Sequence, residues 1–269
     1  MKFTKMHGCG NDYIYVDANR EQIDNKDKPE LARRLSDRHF GIGGDGVIFI
    51  LPSLKADFEM EMYNADGSRG EMCGNGIRCV AKYVYEKGLT NKKSLRIVSA
   101  GKIKCLNLTV QDKKVILVKV NMGRPLLLAE SVPVSGTDYR LFCVSMGNPH
   151  AVLFVDDMEG IAIEKMGPML EHHSFFPDRT NVEFVKVLDK DTIKLRVWER
   201  GSGETLACGT GACAAAVACM EKGFTGEQVT VILPGGSLEI YRDSKKNHVY
   251  MTGPATHVYD GEMEMPIFV

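Results

Sequence analysis

The sequence predicts an α+β (mixed α/β) protein of two pseudo-symmetric domains that arose by internal duplication. The first observation is that residues 72–76 (MCGNG) recur as residues 207–211 (ACGTG), an offset of 135 positions (208 − 73). The second is that each copy lies between a strand pattern and a helix pattern. A chain of 269 residues is long enough for two domains of ordinary size. Each domain is expected to be a mixed or antiparallel sheet wrapped around a central buried helix.

The repeat extends well beyond the glycine-rich motif. Residues 58–88 align without a gap with residues 193–223, and seven of the 31 aligned positions are identical. Apolar residues alternate with charged ones from 58 to 62 and again from 193 to 197. This alternation is typical of a half-buried strand. Each copy therefore predicts a strand, a polar loop, a Cys-Gly-x-Gly motif and a helix.

The residues after each motif have helical spacing. Apolar residues recur at i, i+3, i+4 and i+7 in both copies, which predicts one apolar helix face. They are Ile77, Val80, Ala81 and Val84 in the first copy, and Ala212, Ala215, Ala216 and Cys219 in the second. Both copies end in Glu-Lys-Gly, where Gly88 and Gly223 are expected to cap the helices. The second helix is almost without charge and is expected to be buried.

Further strands are predicted where short segments alternate in polarity. These are residues 115–120, 228–233, 238–241 and 248–251. We expect one domain to comprise residues 1–118 with 254–269 and the other residues 119–253. The active site is expected in the cleft between them.

Composition excludes several classes of partner. The chain has 34 Lys plus Arg against 35 Asp plus Glu, a net charge of −1. A near-neutral chain has no electrostatic footprint for nucleic acid or an anionic membrane. The N-terminus lacks the apolar stretch of a signal peptide, and no apolar run is long enough to span a bilayer. We therefore expect a cytoplasmic protein that binds neither nucleic acid nor a membrane.

The eight cysteines do not form a pattern that binds metal. No pair has C-x-x-C spacing, so no metal site is expected. Six are interpreted as small buried residues: Cys9, Cys79, Cys105, Cys143, Cys213 and Cys219. Cys73 and Cys208 differ, because each opens a glycine-rich turn at the start of a predicted helix.

A cysteine in this position suits proton chemistry. Unpaired N–H groups at a helix start can bind a carboxylate and lower the pKa of a thiol. If the two halves pack face to face across a pseudo-two-fold axis, two thiols flank one carbon from opposite sides. A thiolate could then remove an α-proton while the opposite thiol returns one to the other face. No electron-sink cofactor is expected, and the helix ends would stabilise the carbanion.

Ordered motifs along the chain point to one family. They are KMHGCGND (5–12), NADGS (64–68), MCGNGIRC (72–79), NKK (91–93), NMG (121–123), MGNPH (146–150), RTN (179–181), WERG (198–201), ACGTGA (207–212) and MTGPAT (251–256). With these motifs the sequence closely resembles the diaminopimelate epimerase family over nearly its whole length. The resemblance implies cofactor-independent conversion of LL- to meso-diaminopimelate in lysine and cell-wall biosynthesis. It also implies a homodimer, with Tyr259 near its interface.

The resemblance also implies residue roles. Cys73 and Cys208 would be the two acid/bases, and His150 and Glu199 would tune them. The backbone at Gly74-Asn75 and Gly209-Thr210 would hold the reacting carboxylate. The remaining amino and carboxyl groups would be bound by Asn11, Asn64, Asn148, Asn181, Glu199 and Arg200. Asn offers donors and acceptors, and Arg can pair bidentately with a carboxylate.

Position 46 departs from a common family pattern. Many members have Phe-Asp-Gln, with the Gln contacting substrate, where this chain has Gly44, Asp45 and Gly46. Another branch also carries Gly there, so Gly46 is excluded from the side-chain contacts. The offset of 135 pairs Asn64 with Glu199 and Gly46 with Asn181. The two ends of an asymmetric substrate should therefore meet different side chains.

Other functions remain open alternatives. A proline or hydroxyproline racemase would share the two-cysteine logic, but that family usually has His where this chain has Asn75. Phenazine-biosynthesis-type isomerases are disfavoured because they lack the cysteine pair. A thiol hydrolase using Cys73 with His150 leaves the duplicated Cys208 unexplained. A redox role, with Cys73 and Cys208 forming a disulfide, is a side hypothesis. Residues 41–46 fit the pattern G-x-G-x-x-G. They follow a predicted helix and precede a predicted strand, whereas the dinucleotide-binding fingerprint follows a strand and opens a helix. Nucleotide binding is therefore excluded.

Overall fold

The computed structural model describes residues 1–264 of the chain, which divide into two compact units. The first unit comprises Met1–Val120 and the described residues from Pro254 onward, and the second comprises Asn121–Gly253. Residues 265–269, which the sequence assigns to the first domain, lie outside the described residues.

The first unit contains eight strands and three helices. Its strands are β1 (Lys2–Gly8), β2 (Asn11–Asp17), β3 (Gly46–Leu51), β4 (Phe58–Asn64), β5 (Ser94–Ser99), β6 (Lys102–Gln111), β7 (Lys114–Gly123, which crosses the unit boundary) and β17 (Thr256–Glu262). Its helices are α1 (Ala18–Glu21), α2 (Lys28–Ser36) and α3 (Gly74–Glu86).

The second unit contains nine strands and two helices. Its strands are β8 (Leu126–Pro133), β9 (Arg140–Ser145), β10 (Pro149–Phe154), β11 (Asn181–Val187), β12 (Thr192–Glu199), β13 (Gly203–Thr205), β14 (Gln228–Leu233), β15 (Gly236–Asp243) and β16 (His248–Gly253). Its helices are α4 (Ile163–Glu171) and α5 (Gly209–Glu221). Each of the four short strands predicted from alternation lies within a strand of the structure.

Both units have the same strand topology. In the first, the order is β17-β1-β2-β3-β4-β5-β6-β7, and only β2–β3 and β4–β5 are parallel pairs. In the second, the order is β8-β9-β10-β11-β12-β14-β15-β16, and only β10–β11 and β12–β14 are parallel. Counted along these orders, the third and the fifth pairs of neighbouring strands are therefore parallel in each unit. This match confirms the predicted α+β duplication.

Each unit packs its sheet against one buried helix. Helix α3 contacts β1, β2, β5 and β6, and α5 contacts strands from β9 to β16. In α5 the residues from Gly211 to Cys219 are all buried, as its apolar sequence predicts. Both helices end as expected, because Gly88 (φ 73°) and Gly223 (φ 70°) take the left-handed conformation that a helix C-terminus favours.

Helix α4 is fixed by a close approach to a tryptophan. A Cβ added at Gly167 would fall on the ring of Trp198, so only glycine allows this contact. The Trp198 ring packs against the core of the second unit, which also contains Leu170 and Phe184. Among residues 1–264, none of the helices has the length and apolar character that crossing a bilayer requires.

Candidate active site

Cys73 caps the N-terminus of α3. Its backbone is extended (φ −105°, ψ 114°), and its Sγ accepts a hydrogen bond from the N–H of Gly76 at 3.2 Å. The thiol donates to Asn11 Oδ1 at 3.4 Å. A Cβ at Gly76 would lie 2.6 Å from Cδ1 of Ile48, so the first turn of α3 packs closely against β3. The prediction that Cys73 stands at a helix start is confirmed.

A charged network fixes the amide of Asn11. Its Nδ2 donates to Asp45 Oδ2 at 2.8 Å, which leaves Oδ1 for the Cys73 thiol. Arg38 bridges the carboxylates of Asp12 and Asp45, at 2.8 and 2.9 Å. Burial, and then the neighbouring Asp12, raise the pKa of Asp45. Burial alone would also raise the pKa of Asp12, but hydrogen bonds from Arg38 and Lys5 hold that pKa below its usual value.

Arg78 organises the first turn of α3. It is fully buried, and its guanidinium donates to the carbonyl of Gly74 (3.0 Å), to Asn75 Oδ1 (3.0 Å) and to the carbonyl of Pro254 (3.1 Å). The Asn75 side chain is thereby held on Arg78. Asn64 ends β4, and its Nδ2 donates to Ser68 Oγ at 3.0 Å.

The backbone excludes a side chain at position 46. A Cβ built on Gly46 would fall on the carbonyl oxygen of Tyr63, on the neighbouring strand β4, and within 3.0 Å of the Tyr13 ring. The backbone of this chain therefore cannot accommodate a glutamine at position 46.

Cys208 occupies the corresponding position before α5 but has different surroundings. It is buried, 6% exposed, and its Sγ lies 3.5 Å from the hydroxyl of Thr210. Burial raises the pKa of Cys208 well above its ordinary value, and the carboxyls of Glu199 and Glu183 raise it further. The expectation that the helix start lowers the thiol pKa is wrong for Cys208. Desolvation and two nearby carboxyls outweigh the helix end.

Glu199 is a largely buried carboxyl beside this thiol. It ends β12, and its Oε1 accepts a hydrogen bond from Thr205 Oγ1 at 2.6 Å. Burial raises the pKa of Glu199, although hydrogen bonds from Thr205 and Cys208 oppose the increase. The structure therefore brings Glu199 and Cys208 together, as the resemblance implies.

His150 lies on β10 and is fully buried. Its Nδ1 is 2.7 Å from Oε1 of Glu183, on the neighbouring strand β11. Its Nε2 is 3.2 Å from Oδ1 of Asn148. His150 therefore lies between the carboxyl group of Glu183 and the amide of Asn148, to which the resemblance assigns substrate binding.

Asn181 and Arg200 meet across the ends of β11 and β12. Asn181 Oδ1 accepts from the backbone N–H of Arg200 at 2.9 Å, and its Nδ2 donates to the carbonyl of Pro149 at 3.1 Å. The Arg200 guanidinium donates to the carbonyl of Asp178 at 3.1 Å. The Glu171 carboxylate holds both flanking loops, since it accepts from Arg179 (3.1 Å) and from the N–H of Gly201 (3.0 Å).

Of the six cysteines interpreted as small buried residues, five are buried in the structure. Cys9, Cys79, Cys143, Cys213 and Cys219 are buried, but Cys105 is exposed. The expectation was wrong for Cys105 because its position in β6 places the side chain on the outer face of the sheet, opposite exposed Arg96.

Two residues at the site were missed from the sequence. The sequence presents Asp45 only as part of a glycine-rich loop, and no motif includes Glu183. Glu183 did leave a signal: it is an acidic residue among the buried apolar residues of β11. A buried carboxyl in an apolar strand indicates a specific partner.

Solved structures share this fold at low sequence identity. A phenazine biosynthesis protein of the PhzF family from Bacillus anthracis has a TM-score of 0.76 and 17% identity, covering 98% of this chain and 99% of its own. A probable proline racemase from Agrobacterium radiobacter has a TM-score of 0.74 and 14% identity, covering 98% and 93%. The fold therefore defines a class that includes both kinds of protein.

Sequence comparison narrows this class to one family. A family model described as diaminopimelate epimerase matches residues 3–128 and 142–258. Diaminopimelate epimerase of Methanococcus maripaludis is 53% identical over 279 residues, covering 98% of this chain and 100% of that protein. That of Acetivibrio thermocellus is also 53% identical, covering 98% and 99%. The chain belongs to the diaminopimelate epimerase family.

Proposed function

We propose that this protein epimerises LL-2,6-diaminopimelate to meso-diaminopimelate, in lysine and peptidoglycan precursor biosynthesis. One observation carries the proposal: relatives of that name are about half identical over nearly the whole chain, and three of them are 53% identical over 98% of it. The duplicated Cys-Gly-x-Gly motif at the starts of α3 and α5 supports it chemically.

We propose that Cys73 and Cys208 are the two acid/bases of this reaction. A thiolate takes the α-proton from one face of the carbon, and the other thiol gives a proton to the opposite face. The raised pKa of Cys208, caused first by burial and then by Glu199 and Glu183, favours its protonated form. Cys208 is then the proton donor in the resting enzyme and Cys73 the base, and the roles exchange in reverse.

The remaining site residues are proposed to bind the substrate and tune the thiols. Backbone N–H groups at Gly74-Asn75 and Gly209-Thr210 lie in the first turns of α3 and α5, where a carboxylate is favoured. His150 and Glu199 tune the cysteines, and Glu199 also accepts an ammonium group. The other polar groups of the substrate are bound by Asn11, Asn64, Asn148, Asn181 and Arg200. This chemistry needs no added cofactor.

Proton exchange in D₂O tests the function. Wild-type protein is incubated with LL-diaminopimelate and a reducing agent, without pyridoxal phosphate, and the α-¹H signal is followed by NMR. We expect deuterium at one α-carbon together with the meso product. Exchange only with proline or hydroxyproline would assign the racemase alternative, and no exchange with any amino acid would exclude proton transfer.

Two variants test the cysteine roles. Cys73→Ser and Cys208→Ser should each lose epimerisation by about 100-fold or more, because each removes a general acid/base. Cys105→Ser, which changes an exposed cysteine, is the matched control and should keep wild-type activity. A Cys208→Ser variant with full activity would favour a thiol hydrolase-like use of Cys73 alone.

We further propose that the protein is a cytoplasmic homodimer with Tyr259 at its interface. Tyr259 is 42% exposed, and its ring packs edge-on against Phe3, with centroids 6.0 Å apart. Sedimentation of wild type against Tyr259→Ala tests this. Dimerisation weakened by the substitution supports the assignment, and unchanged behaviour excludes Tyr259 from the interface.

A further inference from the structure

A second buried acid, besides Glu199, lies beneath the start of α5. Glu183 on β11 is fully buried, and its Oε1 is 2.7 Å from Nδ1 of His150, which is also fully buried. A Cβ built on Gly211 would lie 2.7 Å from the same Oε1. The carboxyl group therefore lies between the first turn of α5 and the imidazole.

The first unit has an apolar residue in the equivalent place. Ile48 lies opposite Met62 of β4, and Glu183 lies opposite Val197 of β12. Each residue of the second pair follows its counterpart in the first by 135 positions. A Cβ built on Gly76 would lie 2.6 Å from Cδ1 of Ile48, and one built on Gly211 would lie 2.7 Å from Oε1 of Glu183. The packing of the fold therefore does not require a carboxyl group here.

The imidazole is also specific to the second unit. In the parallel pair β2–β3, Tyr13 lies opposite Gly46, as His150 lies opposite Asn181 in β10–β11. Burying an ionisable pair costs free energy that an apolar pair does not. The second unit has this pair where the first has none, and the pair lies next to Cys208. We therefore assign the pair a role in the candidate active site rather than in the packing of the fold.

The neighbouring atoms favour one arrangement of protons. The Nε2 of His150 faces Oδ1 of Asn148 at 3.2 Å, and because an amide oxygen only accepts, this contact favours the tautomer with its proton on Nε2. A further proton lies between Nδ1 and Oε1 of Glu183, because two such atoms 2.7 Å apart need one to form a hydrogen bond. Burial raises the pKa of Glu183, while His150 opposes the increase. The other carboxyl oxygen, Oε2, has no hydrogen-bond partner among the described residues.

We propose that Glu183 is a positioning residue for His150, holding Nδ1 so that the protonated Nε2 points to Asn148 in the substrate-binding set. The proposal rests on the proposed function, in which His150 tunes the thiols. The other titratable groups near the pair are Cys143, Cys208 and Glu199. With its proton fixed on Nε2, His150 can donate a hydrogen bond only from that nitrogen, on the side that faces Asn148.

Two substitutions separate the charge of Glu183 from its hydrogen bond. Glu183→Gln keeps the shape and removes the charge. Glu183→Ile removes both and introduces the residue that the first unit has at the equivalent position, so the space is suitable. Glu61→Gln is the matched control, because it neutralises a mostly buried carboxylate that is paired with Lys28, 2.5 Å away, in the first unit.

Ring ¹⁵N NMR of histidine-labelled protein gives a readout that does not depend on activity. The His150 signals are assigned by their loss in His150→Gln. We expect a protonated Nε2 and a proton-sharing Nδ1 in the wild type, and an unprotonated Nδ1 in Glu183→Ile. Identical Nδ1 signals in the two proteins would overturn the proposal.

Kinetics with diaminopimelate test the consequence. Glu183→Gln should lower kcat about 10-fold and Glu183→Ile about 100-fold, with KM within about 2-fold, as for other groups that orient a functional histidine. The pH profile of kcat should change in both variants, because each removes a buried carboxyl group whose pKa burial raises.

Glu61→Gln should keep both kcat and the pH profile. Glu183 variants with wild-type kcat and pH profile would also overturn the proposal. If the wild type itself lacks epimerase activity, the proposed function fails, and the NMR comparison still decides whether Glu183 orients His150.

Discussion

The two cysteines of the repeated motif have unequal environments. Cys73 is partly exposed, whereas Cys208 is buried beside Glu199. An amide oxygen faces the first thiol at 3.4 Å, and a hydroxyl lies 3.5 Å from the second. Equivalent positions in a duplicated fold thus have different burial and different hydrogen-bond partners.

Removal of the Glu199 charge should make Cys208 more reactive. Since that carboxyl group raises the pKa of the thiol, Glu199→Gln should increase the thiolate fraction of Cys208 near pH 8. We expect iodoacetamide to modify Cys208 several-fold faster in the variant, measured by peptide mass spectrometry. Exposed Cys105 is the internal reference and should react at an unchanged rate. An unchanged or slower rate at Cys208 would argue against this electrostatic effect.

Position 46 should tolerate no side chain. Because a Cβ there would fall on the Tyr63 carbonyl, Gly46→Ala should lower the free energy of unfolding by about 2 kcal/mol or more. Urea denaturation measures the change. Gly226→Ala is the control, since nothing lies within 4 Å of its Cβ, and it should be nearly neutral. Equal stability of the two variants would show that β3 and β4 can move apart at this point.

At the scale of elements, helix α4 supports the loops that carry Asn181 and Arg200. The Glu171 carboxylate at its C-terminal end accepts from the indole N–H of Trp198 at 2.8 Å and from the N–H of Gly201 at 3.0 Å. A buried carboxylate that joins a helix to two loops orders those loops, because each bond to the charged group is strong.

The Glu171 contacts should affect substrate binding more than chemistry. Glu171→Gln is expected to raise KM about 10-fold and to destabilise the fold by about 1–3 kcal/mol, the cost of weakening buried bonds to a charged group. Steady-state kinetics and urea denaturation measure the two effects. Glu164→Gln, at an exposed position of the same helix, should change neither. A fall in kcat at constant KM would place the effect of Glu171 on the reacting groups instead.

At the scale of the whole molecule, buried thiols tie the stability of the fold to pH. Burial raises the pKa of Cys79 to about 11 and those of Cys143 and Cys219 to about 12, from an ordinary value of 9.0. A neutral thiol is favoured in the core, whereas the unfolded chain ionises near pH 9.0. The stabilisation is therefore complete below pH 9 and is lost as pH rises towards the folded values.

Cys219→Ala should reduce this loss at alkaline pH. Between pH 8 and 10.5 the wild type should lose about 2 kcal/mol more stability than the variant, from about 1.4 kcal/mol per pH unit above the unfolded pKa. Urea denaturation across this range, with dithiothreitol present, measures the difference. Cys105→Ala, at an exposed site, should follow the wild type. Parallel curves for wild type and Cys219→Ala would exclude the buried thiol as the cause.

The sequence by itself determined the duplication, the two buried helices with their glycine caps, and the positions of Cys73 and Cys208 at helix starts. These features depend on periodicity and on residues within a few positions of each other, which a sequence displays directly. The tertiary structure decided which strands are parallel, that burial and two carboxyls raise the pKa of Cys208, and that Glu183 lies under α5 against His150. Burial and electrostatics depend on groups from separate strands, and their residues meet only when the sheet has formed.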